Sequence, residues 1–518
     1  MFTRRKPQIL RNCAQRRYWT FYEAVILKKR KTRAIYLTFP QIPGEISFRV
    51  VIFSPDVMIS GLVETFARHT QHKERQPMKK HRVSVVKYEK PFESVRKAVE
   101  ACGGLDHLPE GAKVFIKPNI VFWTRHCEFP KWGVITTSRV IEDVIVLLRE
   151  RGIDDITIGE GIVADPKDKL TPAHAFETLG YKRLGEKYGV KTVNVMDRPF
   201  EKTDLGGGVT LKFNTDILHS DFVVDIPPMK THNQTTVSMG IKNLKGCIDI
   251  PSRKKCHSAD SQKDLHYHIA RLADKMPPML TVIDGIYTVE RGPGFDGKMH
   301  RKNLLVASAD ILSADMVAAR ILGHSPSNVL YLAHAAANRG RRPDLSDVEI
   351  TGESIESVAS FHAWDFEYRC EDTREIPVPI AKQGLDGIYY RKFDNTMCTY
   401  CTVMSGLVLT AIRYAWKKEP WDKVEVLTGK VMEPAPGMKT TILLGQCMYK
   451  KNRDHPDIQK QIAIKNCPPD PKDVFSALHE AGIEADPSLF EQAEFLPGFF
   501  MGKYKDRPEF EKAFFQVE

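Results

Sequence analysis

From Met78 onward the apolar positions of the chain switch repeatedly between a strand-like and a helix-like spacing. "HRVSVVKY" is rich in β-branched residues and reads as a strand. "PFESVRKAVEAC" repeats apolar residues every three or four positions and reads as a helix closed by Gly103 and Gly104. "AKVFIKPNI", "DDITIGEG", "KTVNVM", "SDFVVDIPPMKTH", "MLTVIDGIYTV" and "NLLVASAD" predict further strands. "TSRVIEDVIVLLRERG", with Thr137 or Ser138 as N-cap and Gly152 at its end, predicts a helix. So do "PAHAFETLG", "YKRLGEKYG", "TTVSMGIKNLKGC", "DLHYHIARLADKM" and "SADMVAARILG". Such alternation predicts an α/β main domain over 78–345, built on a mostly parallel sheet whose ligand crevice lies at the carboxyl ends of its strands.

Residues 346–389 break the rhythm with Pro377 and Pro379 and predict a connecting segment or edge element. The pattern resumes over 390–518, with "CTVMSGLVLTAIRYAW" and "DPKDVFSALHEAG" as helices and "KVEVLTG" and "TTILLGQC" as strands. This is a smaller C-terminal α/β module. No apolar run reaches the roughly 18 residues that a bilayer span needs; the longest, Cys401 to Ile412, stops at Arg413. We expect no membrane segment.

Composition changes the picture at one end only. The 518 residues carry a net charge of +11, but residues 1–80 hold 17 Lys+Arg against 5 Asp+Glu, and the remainder hold 59 against 60. The basic character is confined to the N-terminal stretch, so no nucleic-acid partner is expected. That stretch, 1–77, reads as a basic extension. It is compatible with an organellar transit peptide, or with translated DNA upstream of a bacterial start at Met78, because Lys73-Glu74-Arg75 is encodable by a purine-rich ribosome-binding sequence.

Ten cysteines in a long chain without a secretion signal argue for a reducing cytoplasm and for metal or redox use rather than a disulfide scaffold. Four of them, Cys398, Cys401, Cys447 and Cys467, fall in the C-terminal module with the spacing C-x2-C-x45-C-x19-C. The first two sit at a predicted helix start, where free N–H groups stabilise thiolate charge. Cys447 follows a strand, and Cys467 precedes Pro468-Pro469. Four-cysteine zinc sites usually use two close pairs; one close pair with two dispersed singles suits a 4Fe–4S cluster. Zinc, a redox dithiol and four cysteines that merely line a core stay open alternatives.

The strand ends of the main domain carry convergent polar residues. Lys117 and Asn119 follow one strand, and Thr136 and Thr137 stand at a helix start, a natural anion site. Lys230, Thr231 and His232 precede Lys242, Asn243 and Lys245. Glu160, Asp284 and Glu290, beside a Gly-Pro-Gly loop, add carboxylates. Any one of these is commonly a solvated or capping group. Together the basic groups point to an anionic small-molecule substrate, with Lys230, His232 and Lys117 as candidate catalytic groups and Asn119, Thr136, Thr137, Thr231, Lys242, Asn243 and Lys245 as binding groups. No Walker or G-x-G-x-x-G motif is present, which disfavours an ordinary nucleotide site.

These segments resemble, in order, the motifs of domain-of-unknown-function family 362: "KPNIV", "TTSRVIEDVIVLLRERGIDDITIGEG", "AFETLGYKRLGEKYGV", "DFVVDIPPMKTHNQTTVSMGIKNLKGC", "TVIDGIYTVERGPGFDGK" and "ASADILSADMVAARILG". The resemblance covers about residues 82–325 and is most specific in the Lys-Thr-His segment followed by Lys-Asn-Leu-Lys-Gly. It implies a prokaryotic, often anaerobic, cytoplasmic iron–sulfur protein. The eight-cysteine ferredoxin module common in the family is absent, and the loop before Gly294 reads Glu290-Arg291-Gly292-Pro293 where the family usually has an extra glycine after the acid. The Lys-Thr-His and Gly-Ile-Lys-Asn pattern is also distantly similar to that of nickel-pincer lactate racemases.

The expectation is therefore an iron–sulfur oxidoreductase with one 4Fe–4S cluster and an anionic substrate. The alternatives are a non-redox isomerase or ligase with a structural cluster, and an electron-transfer partner protein.

Overall fold

The computed structural model describes residues 80–128, 131–163, 170–371 and 374–517, together with three short strands nearer the start. Those strands, Val25–Lys29, Thr32–Leu37 and Val50–Ile52, form an antiparallel sheet in a unit of their own that ends at Met78. The rest of the expectations for residues 1–77 lie outside the described residues.

The second unit, Lys79–Glu518, is built on a large sheet. Its main path runs Val348–Gly352, His81–Lys87, Lys298–Ser308, Met279–Glu290, Phe222–Asp225, Val114–Lys117, Ile156–Glu160, Lys191–Asn194. Only Lys298–Ser308 runs against its neighbours; the others on this path are parallel. Alternate side chains enter opposite cores, as the pleat requires. Val114, Ile116 and Val224 join the cluster under the helices Glu93–Cys102 and Ser138–Glu150. Phe115 and Val223 join the one under Ile311–Ile321 and Leu330–Asn338. Burial on both faces explains why these strands read as near-continuous apolar runs.

Two predicted elements differ. "TTVSMGIKNLKGC" is not one helix: Thr236–Ser238 pairs with Pro228–His232 as a strand, and only Gly240–Asn243 is α-helical before a 3-10 turn, Leu244–Cys247. Its β-branched start favours the extended form. "DLHYHIARLADKM" is helical only over Leu265–Ile269.

The C-terminal module has its own sheet. Ile388–Tyr390, Val424–Leu427, Thr440–Leu444 and Lys460–Ile464 lie side by side in chain order, all parallel. Helices Thr399–Ala415 and Pro471–Glu480 cover a separate core. The edge strand Val348–Gly352 still belongs to the large sheet. The last stretch of chain returns there too: Met501, Tyr504, Phe510, Phe515 and Val517 are part of the main-domain core. Their aromatic and aliphatic side chains complete the layer over Tyr287 and Trp132. Among the described residues, no helix is long and apolar enough to cross a membrane.

Candidate functional site

The chain leaves Val114–Lys117 toward one edge of the large sheet and leaves Phe222–Asp225 toward the other. The crevice between two such strands is where parallel α/β sheets place ligand sites. Lys117 and Asp225 are register partners at its mouth. Most of the predicted residues of the main domain gather here, in a network whose polar atoms bond largely to one another.

Lys117 Nζ lies 2.9 Å from Glu160 Oε2, both wholly buried, and also bonds the Pro118 carbonyl. Glu160 accepts from the backbone of Ile120 and Gly161 at 2.8 and 2.6 Å. A Cβ at Gly246 would stand 2.6 Å from Glu160 Oε1 and 2.8 Å from Lys117 Nζ, so glycine in "LKGC" is what lets this backbone cross the ion pair. Asn243 donates to Asp225 at 2.8 Å and accepts from Asn119 at 2.8 Å. Lys230 Nζ donates to Asn119 Oδ1 at 2.7 Å and to the Val134 carbonyl at 2.9 Å. Thr136 accepts from the Asn119 backbone at 2.8 Å and donates to the Ile226 carbonyl at 2.6 Å. The N–H of Thr137 at the helix start meets Asp284 at 2.7 Å, so a carboxylate of the protein already takes that place. Thr231 sits apart, accepting from the Gly292 backbone at 3.0 Å and so holding the Gly-Pro-Gly loop. Glu290 pairs with His300 at 3.0 Å and with Lys298 at 3.4 Å.

Above this floor lies a second tier. His232 Nδ1 accepts from the Gln234 backbone N–H at 3.1 Å. Burial and the charges of Lys242, Lys245, Lys230 and His257 push its pKa well down. The neutral ring therefore carries its proton on Nε2 and presents a donor. Lys245 Nζ lies 2.7 Å from His257 Nε2, whose Nδ1 lies 2.9 Å from the Asn395 carbonyl. Burial lowers the pKa of Lys230 to about 7 and of Lys245 to about 8, and it pushes Lys242 well down, helped by Lys245 and Lys230. Asp225, with a buried Oδ2 that has no hydrogen-bond partner, is pushed well up by burial; Asp315, which accepts from Gly240 and Ile241, is raised to about 7.

The cysteines stand at the carboxyl end of the small sheet. Cys398 occupies the N-cap position of the helix Thr399–Ala415, Cys401 lies in its first turn, Cys447 lies in the first turn of Gln446–Asn452, and Cys467 follows Lys460–Ile464. None is in a disulfide; Cys398 and Cys401 are half-buried, Cys447 and Cys467 exposed. The three turns meet at Gly445 (φ +91°), where a Cβ would lie 3.4 Å from Cys401 Sγ and 3.6 Å from Pro469. The hydrogen bond from Cys401 and the backbone N–H groups of Cys401 and Tyr400 bring the Cys398 thiol down to about 5. Its bond to Cys398, burial and the charges of Cys398, Cys447 and Cys467 push Cys401 up. Among the described residues, no group of three or more His, Cys, Asp or Glu side chains is drawn together tightly enough to hold a metal ion.

The two ends are physically joined. Gln234, two residues past His232, donates to the carbonyls of Asp394 and Met397 at 2.9 Å each, directly before Cys398. Lys254 Nζ lies 3.0 Å from Cys467 Sγ, and Lys430 Nζ donates to the Lys254 carbonyl at 2.9 Å. Gln234, Lys254, His257, Asp225 and Asp315 are members that sequence reasoning missed. Asp315 left a signal, an acid inside the apolar run of its helix, and Asp225 ends a strand just as Lys117 does. Gln234, Lys254 and His257 left none. Two cavities of about 1040 and 430 Å³ lie elsewhere, along Arg301 and the returning chain end, and contain none of the predicted site residues.

Residues 114–320 match the family model of DUF362, a domain of unknown function. The matched span runs from the strand ending at Lys117 through the helix Ile311–Ile321, and so includes the whole switch-point network. The chain is 26% identical over 259 residues to thylakoid-associated protein sll1697 of Synechocystis, a match covering 49% of this chain and 77% of that protein. A solved structure, the lactate racemase apoprotein of Thermoanaerobacterium thermosaccharolyticum, aligns at a TM-score of 0.32 and 16% identity. That alignment covers 47% of this chain and 58% of the racemase chain.

Proposed function

We propose that this chain is a cytoplasmic iron–sulfur protein that holds one 4Fe–4S cluster on Cys398, Cys401, Cys447 and Cys467, and that it is a redox enzyme acting on an anionic small molecule. The observation that carries the proposal is the placing of four thiols, none in a disulfide, on three turns at the carboxyl end of the small sheet, where the charges of Cys398, Cys447 and Cys467 all act on Cys401. Thiols spread over three turns suit a four-iron cubane better than a single ion. Such a cluster supplies one-electron transfer.

The basic tier supports the choice of substrate. Lys230, His232, Lys242, Lys245 and His257 all have lowered pKa values, owing to burial and, for most of them, to one another's charge. Such a tier gains most from a bound anion, which restores the missing protons. Lys117, Lys230 and Asn119 shape the floor through bonds already made within the protein. Contact with a ligand falls to the half-buried Lys242 and Lys245 and to the Nε2 donor of His232. Gln234 keeps that tier in register with the cysteine turn.

Anaerobic purification with iron and sulfide analysis and EPR tests the proposal. About four irons per chain are expected, lost in Cys398→Ser; fewer than about two in the wild type end it. A cluster that only braces the module is the second reading, favoured by all four ligands coming from one small sheet. Reduction and reoxidation without unfolding would exclude it. The cytoplasmic location belongs to the same proposal. A membrane-associated location, as the name of the thylakoid-associated Synechocystis protein would suggest, would show as cosedimentation with vesicles.

A further inference from the structure

The cysteines belong to the small sheet, but the main domain delivers a charge to one of their sulfurs. Lys254 lies in the last turn of the helix Ile250–Cys256, whose start is capped by Asp249 through a 2.8 Å bond from the Ser252 N–H. Its Nζ is 3.0 Å from Cys467 Sγ and 5.3 Å from the ring centroid of Tyr400, which lies between Cys398 and Cys401. The backbone is pinned from the other domain, since Lys430 Nζ donates to the carbonyls of both Lys254 and His257. Among the described residues no carboxylate pairs with the Lys254 ammonium; its hydrogen-bond acceptor is the sulfur.

We propose that Lys254 is a positioning residue that sets the reduction potential at this site, an inference that rests on the cluster reading above. A fixed cation donating a hydrogen bond to a ligand sulfur withdraws electron density from it. It favours the state holding one more electron, with no bond broken and no proton moved. The lysine comes from the DUF362-matched span, so the cysteine module alone does not make the complete site.

The test is an anaerobic redox titration of the full chain, followed by EPR, with iron assayed in every sample. Lys254→Met and Lys254→Gln are expected to keep wild-type iron. Each should show a midpoint lower by about 59 mV, equivalent to a tenfold change in a one-electron equilibrium. Lys254→Arg, which keeps the charge, is expected to stay near the wild type. An unmoved midpoint in cluster-loaded Lys254→Met or Lys254→Gln overturns the proposal, as does an equal fall in Lys254→Arg. Absence of iron from the wild type defeats the cluster reading instead, and the iron assay tells the two apart.

Discussion

The large sheet is mostly parallel and the small one wholly so, and their carboxyl ends are finished in opposite ways. At the large sheet every charged group on the floor has a partner inside the protein: Lys117 has Glu160, Lys230 has Asn119, and Asp284 takes the helix N–H of Thr137. At the small sheet, four sulfur atoms are left half-buried or exposed, with one another and Lys254 as their polar company. The first end is a platform that has spent its hydrogen bonds on itself, the buried Oδ2 of Asp225 excepted. The second keeps its strongest donor atoms available. What joins them is a thin tier, His232, Gln234, Lys242, Lys245 and His257, and the chemistry proposed here depends on that tier rather than on the deeper network.

The largest test of this contrast is Lys117→Met, which strands the Glu160 carboxylate in the core. It should cost about 3–5 kcal/mol in chemical denaturation while leaving the iron content per folded chain unchanged. Iron loss in proportion to Lys117 removal would mean that the two ends are not separate structures.

Next comes pH. The folded chain holds Lys230 with its pKa lowered to about 7, whereas an unfolded lysine binds its proton to about pH 10.5. Between those values the unfolded state carries more protons, so stability should rise with pH from about 7 to 10.5 and be flat below. Denaturation across that range, with Lys230→Met as the control, checks the slope; a wild-type slope surviving in the variant would remove Lys230 as its source.

At the small sheet, Gly445→Ala forces a side chain into a backbone at φ +91° and ψ 161°. About 1–3 kcal/mol should be lost through the backbone strain alone, since the new Cβ would reach Cys401 Sγ only at 3.4 Å, and iron content should fall as the turn that carries Cys447 shifts. The smallest effect belongs to the joint. Gln234→Ala removes two hydrogen bonds and should cost about 1 kcal/mol. Its more telling readout is a raised Michaelis constant, or weaker anion binding, with the cluster intact.

The order and kind of most elements could be read along the chain, because parallel strands buried on both faces leave apolar runs such as "KVFIK" and "FVVD"; the strand Thr236–Ser238 inside an expected helix is the exception. Their neighbours could not. Nothing in "NLLVASAD" marks it as the antiparallel member of the main path, since periodicity records burial and not direction. Lys117, Asn119 and Lys230 were legible as strand-end polar residues and Asn243 as part of a polar cluster on or after a helix, but their bonding to one another depends on distances that spacing does not encode. The cysteine turns were legible from the pair at a helix start and from single cysteines after strands. Gln234 and Lys254 were not, because a polar residue whose partner is a distant carbonyl or sulfur looks like any solvated side chain.

The return of the final residues to the main-domain core has one more implication. Tyr504 accepts the Met299 N–H at 2.8 Å, and Tyr287 bonds the backbone at Glu509 and Glu511 at 3.1 and 3.0 Å. The small sheet is thus held at both ends, like an insertion rather than an appendage. Its effective concentration at the main domain is set by two tethers, 353–387 and 465–500, and the contacts of Gln234 and Lys430 add to that double attachment rather than having to hold the module alone.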